Sequence, residues 1–424
     1  MNIQAANRST PAEEALNAFY SAHIGDLPGD GAVLGKRDIL FDDLKKAGLP
    51  TRRIEAWHYT DLKTLLRTLP DAEVSAISKA VAPLVEAARV FELRQGVSHD
   101  VSGLEGVGIS SYAETLRDGT AAPELVALSN DDAIGRINGS FVGDGYVVTV
   151  EDNAELEKAI EIQAGHGGGH VHTRIPARFG ANSKATVIER HRNAGDSAAF
   201  ITNVSDLTLG DGAEVTWVIV QQQGLSDTHL GQIKVSLGEN AKLKLFFINA
   251  GGKLVRQEIH VKTAGEGSDF MLRGVNLLGG ESHTDVTMTL GHDVPNTTST
   301  EVIRSVVFDR ARGVFQGQIR VAPDAQKTDA RMACNTLLMS DDAEFSVKPE
   351  LEIFADDVQC AHGATVADID QNHLYYLMAR GIPQKPARGL LVKAFVAELA
   401  EELEDEALTE ALEGVISDWL ETHG

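Results

Sequence analysis

Basic residues, aromatics and cysteine are all scarce in this chain of 424 residues. Lys and Arg number 38 against 62 Asp and Glu, a formal charge of −24. So acidic a surface excludes nucleic acid or an anionic membrane as the main partner. No apolar run reaches the ~18 residues of a membrane span. Met1 to Pro11 is polar and holds no apolar segment, so no secretory signal is read and a cytoplasmic location is expected. Two cysteines, Cys334 and Cys360, cannot form a disulfide framework. No Gly-Lys-Ser/Thr phosphate loop, placed dinucleotide fingerprint or Gly-x-Ser-x-Gly elbow occurs, so any ATP dependence has to come from a partner. What is plentiful is glycine, 40 residues, in a composition that is 43% hydrophobic and 24% charged. That is ordinary for a folded chain with many tight turns.

Residues 1–140 read as a mainly helical N-terminal domain. Thr10-Pro11-Ala12-Glu13 is a capping box with Pro at the first helical position, followed by Ala15, Leu16, Phe19 and Tyr20 at helical spacing. A second helix is expected over Asp38–Ala47, stopped by Gly48 and Pro50. From about Tyr146 period-2 apolar runs take over, each after a turn of the form Gly-x-x-small. The small residues closing these turns are Ser183, Ala213, Ala241 and Ser268, spaced 30, 28 and 27 apart. A second strand series lies between them, with Leu207, Val235, Val261 and Met288 at similar intervals. Two strands per period of this length read as a solenoid, in which stacked units bury a continuous core that one unit cannot. The fold class is therefore mainly β, a parallel β-helix over residues 141–370. A β-sandwich is the rival, but it gives no reason for the constant turn register. Residues 371–424 return to helix, over His373–Ala379, Gln384–Glu404 and Leu408–Leu420. From Val396 onward there are ten acidic residues and no Lys or Arg, a solvated face or a dock for a basic patch.

The densest chemistry lies in Asp356-Asp357-Val358-Gln359-Cys360-Ala361-His362-Gly363-Ala364-Thr365. On a strand, Cys360 and His362 share a face. A thiolate beside an imidazole is half a site for zinc or iron. Cys334, 26 residues earlier, is close to one repeat away and is expected to stack on Cys360. Two thiols and one imidazole still do not complete a four-thiolate cluster site, so a cluster held here needs ligands from another chain. Asp356 and Asp357 point to opposite faces if extended, which suits turn capping better than glycoside cleavage. The segment from Gly165 to His172, with His166, His170 and His172, reads as a flexible turn leading into the first coils rather than a metal site.

Two segments, Arg53-Ile54-Glu55-Ala56-Trp57-His58-Tyr59-Thr60-Asp61-Leu62 and the Cys360–His362 stretch, resemble the SufB/SufD family of SUF iron–sulfur cluster assembly scaffolds. So do Ala325–Ala330, Pro349–Ile353 and Tyr375–Ile382. Cys360-Ala361-His362-Gly363-Ala364-Thr365 is similar to SufD chains, whereas SufB-like chains usually carry Glu-His-Glu-Ala-Thr there. The setting of Cys334, before Thr336-Leu337-Leu338, is more like SufB, so a SufB-type paralogue is the alternative. A carbohydrate-active β-helix enzyme is the rival outside the family.

The resemblance implies a right-handed β-helix between helical regions and a non-catalytic role. It also implies a heterodimer with SufB, a homodimer when alone, and a SufC ATPase docked on Gln384–Leu420, through Leu390, Leu391, Ala394 and Phe395. It maps a metal site, shared with SufB, onto His362 and Cys360. The cofactor it implies is a transient iron–sulfur cluster, and the assembled complex of some members binds reduced flavin.

Overall fold

The computed structural model describes residues 9–71, 80–99, 101, 103–195 and 197–423. Its centre is a parallel β-solenoid of two facing sheets, between which the chain alternates strand by strand. The first sheet runs from Ile160–His166 through Lys184–Asn193, Glu214–Gln222, Lys242–Asn249, Asp269–Leu278, Thr298–Val307 and Asp329–Leu338 to Gln359–Ala367. The second runs from Asp144–Val150 through Gly169–Phe179, Ala199–Leu209, Thr228–Leu237, Leu254–Thr263, His283–His292 and Arg312–Val321 to Glu344–Ile353. Each of these strands pairs in parallel with the strand one coil on.

The turn signal has a specific cause. The residue before each small turn residue adopts a left-handed backbone: Asn182 (φ 56°), Gly212 (68°), Asn240 (54°), Gly267 (72°), Asn296 (57°) and Lys327 (65°). Gly and Asn are the residues that enter this region at least cost. Their alternation is steric as well, because a Cβ on Gly212 would lie 2.5 Å from Asn182 Oδ1, and one on Gly267 2.3 Å from Asn240 Oδ1. The small residues that follow are fully buried, and the stack Ser183, Ala213, Ala241 and Ser268 continues through Thr297 and Thr328. In the second sheet Leu207, Val235 and Val261 are in register as expected, but the next member is Leu290. Met288 lies opposite Ile259 instead, because that coil is two residues longer than an even spacing assumes.

The solenoid interior is one apolar column, with Trp217, Phe247, Leu272, Phe315 and Met332 among its members. Both outer faces are covered too, which is why strands such as Lys242–Asn249 are apolar almost throughout. The C-terminal helices Gln384–Glu401 and Glu406–His423 pack Val392, Val396, Leu412 and Ile416 on Val218, Phe246 and Val275 of the first sheet. The N-terminal helices pack Leu16, Phe41, Ile137 and Phe141 on Phe200, Val204 and Leu230 of the second.

The capping box at Thr10 and Glu13 is present. The second helix spans Gly31–Ala47, seven residues longer at its start than expected, because Asp30 caps it by accepting from the amides of Ala32 and Val33. Residues 1–140 also supply strands. Arg89–Arg94 extends the first sheet, Val97–His99 pairs with it, and Val107–Ser111 edges the second. Weak apolar alternation hid them from the sequence reading.

Candidate functional site

Among the described residues the last strand, Gln359–Ala367, has a neighbour on one side only, and all but one of its residues are exposed. It carries Cys360 and His362. Cys360 stands opposite Ala330 and His362 opposite Met332, both core residues of the preceding strand. The shared face of the thiol and the imidazole is therefore the core face, left open because the solenoid ends there. Cys360 is half-buried and packs against the core, and burial raises its thiol pKa.

The expected stacking of the two cysteines does not occur. Asp329 pairs with Gln359, so this coil spans 30 residues rather than 26, and Cys334 falls opposite Ala364. Cys334 is 1% exposed, and burial pushes its thiol up to about 12. It is a core residue, without thiolate character at neutral pH. Among the described residues no cluster of three or more His, Cys, Asp or Glu side chains is placed to hold a metal ion.

One interior group escaped the sequence reading. Glu301 lies in register between Leu272 and Met332, and Met332 in turn faces His362. Glu301 is fully buried, and neither carboxyl oxygen has a hydrogen-bond partner among the described residues. Burial pushes its pKa up to about 8, against weaker pulls from Ser299 and Arg273, so it enters the fold protonated. The strand that holds it begins at Thr298, not at Val302 where the apolar run starts. A carboxylate that follows the polar run Asn296-Thr297-Thr298-Ser299-Thr300 looks like turn.

The N-terminal motif is an anchor. Trp57 is fully buried, with the Arg256 guanidinium 3.8 Å from its ring centroid and its indole N–H donating to Asp131 O at 3.3 Å. Arg256 Nη2 donates to Ala56 O at 2.8 Å and Nε to Glu258 Oε1 at 3.0 Å, while Nη1 meets Asp285. Thr60 donates to Asp285 and pairs with His283 Nε2 at 2.9 Å. Burial alone would raise Glu258, but Arg256 and His260 overcome it and hold the carboxyl down to about 2. Glu55 reaches Lys348 on Glu344–Ile353, the last strand of the second sheet. That edge also carries Pro349, Glu350 and Glu352, which guard it against pairing. Gln359–Ala367 has no charged residue and no proline.

The other candidates fall elsewhere. Asp357 lies in the turn before the last strand, accepting Lys327 N with its carbonyl oxygen at 2.7 Å and ion-paired with the Lys327 ammonium. The His-rich segment is a tight turn with Gly168 at φ 122° and Gly169 at φ 78°. Its histidines part company. His166 is buried against Gln223 at 2.7 Å, His170 stacks on Phe19 at 4.3 Å, and His172 bonds Thr202 at 2.8 Å. Of the proposed C-terminal docking residues, Leu390 and Ala394 are exposed, whereas Leu391 and Phe395 pack on the solenoid.

A two-sheet solenoid with one guarded edge and one bare edge, the bare one bearing a thiol and an imidazole, belongs to the class of β-helical scaffolds. The SUF system FeS cluster assembly, SufBD core domain family matches residues 160–395. An iron–sulfur cluster assembly protein SufD of Escherichia coli is 28% identical over 384 residues, 86% of this chain and 88% of that protein. An iron–sulfur cluster assembly SufBD family protein of Synechocystis is 24% identical over 420 residues, 93% of this chain and 92% of that one. A SufD of Plasmodium falciparum is 27% identical over 238 residues, 55% of this chain but 16% of its own length. The chain belongs to the SufBD family of the SUF iron–sulfur cluster assembly system and is of the SufD type.

Proposed function

We propose that this protein is a non-catalytic scaffold whose bare edge is completed by a SufB-type chain, and that a nascent iron–sulfur cluster is built at their junction as cargo. The observation that carries this reading is the strand Gln359–Ala367: unpaired on one side among the described residues, free of charge and proline, and bearing His362 and Cys360 on the open core face. An exposed edge of this kind is a template for strand pairing. Its two donors leave a four-ligand cluster two short, so the rest come from the partner. His362 offers an imidazole nitrogen, and the partner offers a thiolate. Without that partner the same edge pairs with a second copy of the chain. A SufC-type ATPase docks on the C-terminal helices, where Leu390 and Ala394 stand exposed one turn apart. Its nucleotide cycle moves the two scaffolds and opens the junction. The working place is the cytoplasm.

The test is co-purification with SufB- and SufC-type partners, wild type against His362→Ala, then anaerobic reconstitution with iron and sulfide counted per complex. The reading expects the same stoichiometry with and without the substitution, and loss of cluster in His362→Ala. Normal cluster content in the variant removes His362 from the site. Failure of the wild type to form a complex removes the scaffold reading itself.

A further inference from the structure

A cavity of about 440 Å3 lies between the helix Gln384–Glu401, the end of Glu406–His423 and the segments that follow the first-sheet strands Thr298–Val307 and Asp329–Leu338. Phe308, Met339, Val392 and Leu420 line it with apolar surface. Lys385, Arg388, Gly389 and Val392 form one stripe of the helix at i, i+3, i+4 and i+7, so two cations and a glycine face the same space. Among the described residues neither Lys385 nor Arg388 forms an ion pair, in a chain where acids outnumber bases 62 to 38. Arg388 Nη2 donates to Met339 O at 3.3 Å.

Gly389 is the second sign of a built space. A glycine in a helix interior is costly relative to alanine. No backbone reason offsets it here, since its φ is not positive and a Cβ at Gly389 would meet nothing within 4 Å. The helix therefore keeps an open position against the cavity wall, where any side chain would fill it. Apolar walls of this volume with a few convergent polar groups are the usual form of a small-ligand site. A planar guanidinium with an ammonium one turn away suits a carboxylate.

We propose that this cavity binds an amphipathic carboxylate of the fatty-acid class, its tail on Phe308, Met339, Val392 and Leu420 and its head on Arg388 and Lys385. The site is independent of the cluster junction. It also lies on a different helix stripe from Leu390 and Ala394.

The experiment is calorimetric titration of the full chain with decanoate, with decan-1-ol as the uncharged control. Decanoate should bind once per chain, and decan-1-ol roughly tenfold more weakly or worse, the loss of a charge-assisted hydrogen bond. Lys385→Ala with Arg388→Ala should weaken decanoate to the level of the alcohol. Gly389→Leu should raise the thermal midpoint, because leucine is the better helix former, and yet abolish binding. Absence of saturable decanoate binding to the wild type overturns the proposal. So does unchanged binding in Gly389→Leu, and equal affinity for the alcohol overturns the assignment of the head group.

Discussion

Glu301→Gln isolates a carboxyl that the solenoid buries without a hydrogen-bond partner among the described residues. The folded-state pKa is about 8 and the ordinary value 4.5. Between those values the folded chain holds a proton that the unfolded chain releases. Stability then falls as pH rises, because the unfolded state binds fewer protons. The contribution is fully present below pH 4.5, lost progressively up to pH 8, and flat beyond. Its slope is about 1.4 kcal/mol per pH unit, so about 3 kcal/mol is lost between pH 5 and 7. For a chain of this length that corresponds to a midpoint lower by about 3 °C.

Glutamine keeps the shape of the neutral acid and cannot ionise. Nearby His292 works in the opposite sense, since burial holds it down to about 4 and it favours the fold as pH rises from 4 to 6.5. The quantity to read is therefore the difference between wild type and variant, which cancels His292. Differential scanning calorimetry at half-unit steps from pH 5 to 8 should show Glu301→Gln gaining on the wild type throughout the window. If the two midpoint curves run parallel, Glu301 does not carry its proton into the fold and the reasoning fails.

Arg256→Met leaves Glu258 and Asp285 buried without their cation, and should cost about 3–5 kcal/mol in urea unfolding at pH 7. Protease cleavage between Ala56 and Thr60 should appear with it, since Arg256 also holds Trp57 and the Ala56 carbonyl. Gly212→Ala puts a Cβ into a left-handed position and against Asn182, and should destabilise by about 2 kcal/mol. Adding Asn182→Gly should recover the part due to the clash, read from the same urea midpoints. In native protein iodoacetamide should label Cys360 well before Cys334, whose thiol is held near 12 and 1% exposed, with unfolding equalising the two by mass spectrometry. Early labelling of Cys334 contradicts its placement in the core.

Turn chemistry, helix caps and strand alternation are local, and they determined much of this protein from its sequence alone. The Gly-x-x-small turns identify a coiled β architecture because only a few residue types enter a left-handed backbone cheaply, and stacking repeats that demand at each coil. Thr10 with Glu13, and Gly48, mark helix ends for equally local reasons. The spacing of Cys360 and His362 placed both on one face of a strand. What the tertiary structure alone decided is nonlocal. The register of one coil on the next depends on every loop length between them, so Cys334 sits four residues from the expected stack and Met288 two. Whether a strand is interior or edge depends on which strand comes last, and that turns a core face into an open face at His362. Burial of Glu301 follows from a strand start that no neighbouring residue signals. The anchoring of Trp57 on Arg256 joins residues 199 positions apart, a pairing that only the assembled solenoid brings within reach, since its second sheet supplies the surface on which the N-terminal segment lies.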